Sequence, residues 1–220
     1  MRCGTHWRRH EENKSSVVKF HRSIIFFFAS LKCLYGQNDC RLKKDQDSIK
    51  VYTCHNDTSR FKSISAEFTL QTSFDQLTQF ILDVPAYTQW QYNTVAAKII
   101  KKISASEQIY HTTIEAPWPV TNRDMVVRLK IEPIENNRSM IIITESETGI
   151  LPQLVGRVRV PSSYGKWIVT KGNKNELHII YTMQIDPGGS VPAWLVNWVC
   201  AEAPYRSFKN LKTILEKRNK

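Results

Sequence analysis

From Ile49 onward the chain alternates apolar and polar positions over short runs. Ile49–Cys54 alternates, and within 60–70 the residues Ile64, Ala66, Phe68 and Leu70 share a face opposite Ser63, Ser65, Glu67 and Thr69. A period of two marks a strand with one buried face. Thr72 or Ser73 then caps a short helix carrying Phe74, Leu77, Phe80, Ile81 and Leu82. Asp83-Val84-Pro85 ends it, and Tyr87-Thr88-Gln89-Trp90 begins a second short helical turn. Strand-like runs follow at 97–103, 108–115, 124–134, 139–147, 156–170 and 176–185. Polar turns at 104–106, 135–137 and 172–175 link them tightly, which predicts an antiparallel meander. Two links, 116–122 and 148–155, are longer and carry Pro and apolar residues where a plain loop would be polar.

The period changes once more near the end. Asp186-Pro187-Gly188-Gly189 reads as a turn, Ser190 as a helix cap, and Pro192 as a first-turn residue. Val191, Trp194, Leu195, Trp198, Tyr205, Phe208, Leu211 and Leu215 then recur at helical steps, with Arg206, Lys209, Lys212 and Lys217 mostly off that stripe. Pro204 lies inside the run and is expected to bend the helix. The pattern predicts an α+β domain. One curved antiparallel sheet of about eight or nine strands has an apolar face to cover, and a single long C-terminal helix to cover it. Two short helices follow the second or third strand.

The first 37 residues do not fit this pattern. They are polar and basic except for Ser-Ile-Ile-Phe-Phe-Phe-Ala-Ser-Leu at 23–31, a run too short to span a bilayer. The run fits the h-region of a signal peptide, with Gly36 before Gln37 as the best cleavage point. An uncleaved anchor or a disordered tail is the alternative. Residues 1–37 are thus read as a leader and 38–220 as the folded domain. The chain is expected to be exported, periplasmic or secreted, if the leader is a signal peptide, and otherwise membrane-associated or cytoplasmic. Of the +11 net charge, the leader holds seven Lys or Arg against two Glu, which leaves +6 on the domain. A basic surface suits anionic partners such as lipid headgroups. The lysines are dispersed and no nucleic-acid motif is present, so nucleic acid is not expected as a partner. Five cysteines show no metal spacing. Cys40, Cys54 and Cys200 lie beyond the leader. That odd number argues against a disulfide framework and leaves a Cys40–Cys54 bridge open.

Candidate chemistry lies on the inward faces. Met125, Val127, Leu129 and Ile131 point one way; Asp124, Arg128, Lys130 and Glu132 point the other, with Val126 the exception. Leu177, Ile179, Tyr181, Met183 and Ile185 oppose His178 and Gln184. Methionine and tyrosine on inward faces suit a core and equally an adaptable wall around an apolar ligand. Pro117-Trp118-Pro119-Val120-Thr121-Asn122-Arg123-Asp124-Met125-Val126 resembles a signature of the START domain, the lipid-transfer domain related to steroidogenic acute regulatory protein. Gly156-Arg157-Val158-Arg159, then Gly165-Lys166-Trp167, is similar to that family's Gly-x-Val-Arg and Gly-x-Trp strand. Asp186 to Asn197 resembles its Asp-x-Gly-Gly-x-x-Pro-x-Trp-Leu-x-Asn lead into the last helix, and 42–52 its first strand.

The resemblance implies a helix-grip fold over about 41–217. A lipid-sized apolar tunnel would run between sheet and final helix, gated by that helix and by the loops at 116–122 and 148–155. Its wall would comprise Met125, Val127, Leu129, Ile131, Val158, Trp167, Tyr181, Met183, Trp194, Leu195, Trp198 and Tyr205. Trp118, Ile150 and Leu151 would be gate residues meeting a membrane surface transiently. Members that bind phospholipid or sterol often carry a tunnel Arg five residues past the Asp. Leu129 stands there, and Arg128 lies on the opposite face by strand parity. The expected ligand is therefore a neutral or weakly polar lipid or other hydrophobic small molecule.

Catalysis needs titratable groups converging in the pocket. His111 and His178 sit on the more polar faces of their strands and are expected to face solvent; Cys200 has no base partner. No triad, metal or phosphate-loop spacing is present. A monomeric, non-enzymatic carrier without cofactor, metal or catalytic residues is the expected reading. The alternatives are a cyclase- or hydrolase-type enzyme of the same fold acting on a hydrophobic small molecule, or an envelope interaction protein with no ligand.

Overall fold

The computed structural model describes residues 40–55, 63–133, 138–173, 175–191 and 193–218. The leader, the turn at 135–137, residues 60–62 and the side chains of Trp194, Leu195, Trp198 and Cys200 lie outside the described residues. The strands are β1 (Cys40–Gln46), β2 (Ile49–Cys54), β3 (Ser63–Gln71), β4 (Thr94–Lys102), β5 (Glu107–Ile114), β6 (Arg123–Pro133), β7 (Ser139–Ser146), β8 (Val158–Arg159), β9 (Ser162–Lys171) and β10 (Glu176–Asp186). The helices are α1 (Phe74–Leu82), α2 (Tyr87–Trp90) and α3 (Ala193–Arg218), with a short 3-10 turn at Val84–Ala86.

Nine strands form one curved antiparallel sheet in the order β1-β2-β3-β10-β9-β7-β6-β5-β4, with β8 pairing β6 off that path. The fold is α+β, and α3 lies against β1, β2, β3 and α2. Two departures from the meander are structural. The 156–170 run divides at Pro161, which has no N–H for the ladder; β8 before it runs parallel to β6 instead. The second is long-range: β3 pairs β10, with Phe68 opposite Ile179. Tight turns cannot announce that contact. The opening strand also divides, at Asp47 and Ser48, both with positive φ (53° and 58°) as a two-residue hairpin turn requires.

Alternation decides the core. Ile64, Ala66, Phe68 and Leu70 are buried, as are Leu177 and Ile179 across from them. α1 starts with a capping box: Ser73 Oγ accepts from Gln76 N–H, and Gln76 Oε1 accepts from Ser73 N–H. On α3 the stripe Tyr205, Phe208, Leu211 and Leu215 is buried. Phe208 stacks on Phe68 at 4.6 Å between ring centroids and meets Tyr181 edge-on at 5.0 Å. The helix continues through Pro204. The β1–β2 turn holds it from the far side: Asp47 Oδ2 accepts from Tyr205 Oη at 2.5 Å and pairs with Lys209 Nζ at 2.8 Å, and Lys44 pairs with Glu202.

Cys40 and Cys54 are joined by a disulfide that ties the first residue of β1 to the last of β2. The odd cysteine count argued against a disulfide framework and left this one bridge open; the register makes the two residues direct cross-strand neighbours.

Candidate functional site

A partly open hollow of about 240 Å³ lies between the sheet and α3. Met125 and Val127 of β6, Tyr110, Thr112 and Ile114 of β5, and Thr144 of β7 form one wall. Trp167 and Gly165 of β9 with Tyr181, Met183 and Ile185 of β10 form another. Ala203, Pro204, Ser207 and Phe208 of α3 roof it, and Trp90 of α2 closes one side. A Cβ at Gly165 would collide with Thr144 Oγ1, so a larger residue there would force the Thr144 side chain to turn. No Asp, Glu, Lys, Arg or His stands among the described residues lining the hollow. Burial pushes the phenols of Tyr110 and Tyr181 well above the usual tyrosine range.

Of the wall residues expected from the sequence, Met125, Val127, Trp167, Tyr181 and Met183 line the hollow. Leu129 continues the same face of β6 but is sealed in the core, and Ile131 borders a second cleft, beside the start of α1. Val158 does not line the hollow; its Cγ1 packs against the Gly188-Gly189 turn. Both glycines have positive φ (66° and 60°), and a Cβ on Gly188 would meet Arg159 O and Val158 Cγ1 at 3.1 Å. Tyr205 turns away to Asp47. Trp194, Leu195 and Trp198 lie outside the described side chains.

The long loops come together at one end of the sheet. Val158 N–H donates to Asn122 O, and Arg157 Nη1 donates to Thr113 Oγ1. Trp118 is 91% exposed, Val155 is fully exposed, and Ile150 and Leu154 are also exposed. Leu151 is half-buried. Leu154 and Val155 were not singled out from sequence, though their loop was.

Behind that loop sits a charged cluster. Asp124 is 0% exposed; its Oδ2 accepts from Arg159 Nη2 at 2.7 Å, Arg159 Nε at 3.0 Å and His111 Nε2 at 2.9 Å. Arg159 also donates to Leu151 O and Pro152 O, so it fastens the 148–155 loop to the sheet. Burial pushes the Asp124 carboxyl up, but the bonds from Arg159 and His111 outweigh it and hold the group below its usual range. His111 was expected to face solvent and is buried instead. The reason is cover: His111 donates to the buried Asp124, and Arg159, on the same carboxylate, ties the β7–β8 connection to this face through Leu151 O and Pro152 O. Val126, the apolar exception on a polar face, was the sequence signal for that cover. His178 is exposed. Arg128 lies on the outer face, paired with Glu107 at 2.7 Å and with Glu147.

This arrangement of sheet, helix and loops has known counterparts. The sequence matches the START domain over residues 40–219. The chain belongs to the START domain family. Among similar proteins, an uncharacterised protein of Pseudomonas aeruginosa is 28% identical over 180 residues, which is 82% of this chain and 88% of that one. Mouse phosphatidylcholine transfer protein is 25% identical over 126 residues, 56% of this chain and 58% of that protein. The crystal structure of a STAR-related lipid transfer protein fragment from Xanthomonas axonopodis superposes with a TM-score of 0.74 at 30% identity, covering 80% of this chain and 98% of that one. Human STARD10 shares the fold, with a TM-score of 0.68 at 20% identity over 81% of this START domain chain and 73% of that one.

Proposed function

We propose that this START domain binds one neutral or weakly polar lipid in the hollow beneath α3 and carries it between membranes. The observation behind this reading is the wall itself: about 240 Å³ bounded mainly by apolar and aromatic side chains, with a few Thr, Ser and Gln residues and no charged residue on its described lining. Apolar burial supplies affinity at about 25 cal/mol per Å² before ordering costs. A buried headgroup charge would meet no counter-ion there, which disfavours a zwitterionic head. The space is below the ~300–1,000 Å³ usual for small-molecule sites, so it suits one chain or ring system unless α3 moves. The lipid-transfer relatives support the class of ligand. Trp118, Ile150, Leu151, Leu154 and Val155 rim the loops and would enter the bilayer while α3 and the loops part.

A cyclase-type enzyme is the second reading, favoured by the buried Tyr110 and Tyr181 on the wall. General acid–base work needs a group titrating near the operating pH. Burial moves both phenols away from it, and no carboxylate or imidazole joins them on the described lining. The carrier reading is therefore preferred. The Cys40–Cys54 disulfide supports an oxidising compartment and hence export of the domain. N-terminal sequencing of mature protein from cell fractions tests this.

Uptake of a fluorescent monoacylglycerol from vesicles tests the carrier reading. The Trp118→Ala and Val155→Asp variants are expected to load several-fold more slowly while melting as the parent does. Unchanged loading would count against the loops as the membrane contact, and no loading by the parent would count against the carrier.

A further inference from the structure

The stretch of α3 that roofs the hollow is also the stretch that the β1–β2 hairpin grips. Ala203, Pro204, Ser207 and Phe208 line the hollow, while Glu202, Tyr205 and Lys209 reach the hairpin instead. β1 is an edge strand of the sheet. Lys44 is its one residue that is not exposed, and a bulge between Leu42 and Lys44 interrupts the alternation just before it. Lys44 Nζ pairs with Glu202 Oε2 at 2.5 Å and stands 4.1 Å from the centroid of the Tyr205 ring. Asp47, in the hairpin turn, receives both the Tyr205 hydroxyl and Lys209 on a single oxygen. The two attachments straddle Pro204, where the helix lacks an N–H and so one bond to the preceding turn. The Cys40–Cys54 disulfide closes the other end of the hairpin and keeps β1 on β2.

We infer that the β1–β2 hairpin is a clasp on α3, with Lys44 and Asp47 setting how fast the roof of the hollow lifts and hence how fast ligand enters and leaves. This rests on the reading of the hollow as a ligand site and assigns the residues that time its exchange. Neither Lys44, Asp47, Glu202, Tyr205 nor Lys209 lines the hollow. They hold the closed helix alike whether the space beneath is empty or filled, so they act on the rates of uptake and release and leave affinity alone. A wall residue touches the ligand, so its loss would change affinity instead. The outer pair is open to water, with the Asp47 and Lys209 side chains 46% and 51% exposed. Ion pairs of this kind are weak singly and are screened by salt, which suits contacts that break and re-form with every exchange.

Stopped-flow transfer of a fluorescent monoacylglycerol between the full chain and vesicles tests this in Asp47→Asn, Lys44→Gln and the double variant. Asparagine tolerates the positive φ of position 47, so the hairpin turn survives the change. Each single change is expected to speed both loading and release about two- to fivefold, and the two together about tenfold, with equilibrium affinity unchanged. Lys217→Gln, on the same helix but outside the clasp, should alter neither rate. Raising NaCl from about 0.05 to 0.5 M should speed the parent more than the double variant. Amide hydrogen exchange without ligand gives a second reading: protection over 203–211 should fall in the double variant while that of β6 and β7 holds. Unchanged transfer rates in the double variant overturn the clasp, and so does a changed affinity at unchanged rates. A loss of protection throughout the domain overturns it too, since the pairs would then be general stabilisers. If the parent loads no monoacylglycerol, the ligand-site reading fails, and amide exchange alone decides whether the hairpin holds the helix.

Discussion

Asp124 shows how far strand parity reaches at the scale of one residue. Parity placed it on the polar face of β6, and placed Arg128 outside and Leu129 inside, where the structure has them. Parity says nothing of what lies over the polar face. There the β7–β8 connection buries Asp124 and His111, and Arg159 fastens that connection through Leu151 O. Removing one partner of a buried ion pair costs ~3–5 kcal/mol, so Asp124→Asn should lose about that much stability at pH 7. The carboxyl titrates below its ordinary value, so its contribution is complete above that value and fades as pH falls through the depressed one. Melting temperatures between pH 2 and 7 should therefore fall below about pH 4 for the parent, and show a weaker acid dependence in the variant. An Asp124→Asn chain that melts like the parent at pH 7 would show that the cluster does not hold the loop.

At the scale of elements, most of the chain was legible from its periods. Each long strand and α3 declare themselves, because a period of two or 3.6 is imposed by the one-sided burial that stabilises them. Breaks and partners were less legible. β8 and β9 read as one run, since only Val160 and Pro161 separate them. The β3–β10 pairing leaves no local mark. Within α3, Phe208 joins the helix to β3, β9 and β10 through Phe68, Trp167 and Tyr181. Phe208→Ala should cost ~3–5 kcal/mol in urea unfolding, while widening the hollow that Phe208 lines. A loss below about 1 kcal/mol would mean that the helix is not held by this stack.

For the whole molecule, the sequence resemblance located the START domain, its sheet and its two long loops; the match over 40–219 agrees with it. Which inward side chains border open space was not legible. Leu129 and Met125 follow the same pattern, and only the third dimension separates a sealed position from a wall. The lack of a described partner for the buried Trp90 indole N–H was equally hidden, since whether such a donor finds an acceptor depends on packing and not on order along the chain. The central claim is that the space under α3 holds an uncharged, mainly hydrocarbon ligand. Native mass spectrometry of the protein recovered from its own host tests it most directly. The expected result is a one-to-one adduct whose mass fits a neutral single-chain or ring lipid and which organic solvent removes. A chain that flies bare, or one carrying phosphatidylcholine, would contradict the account.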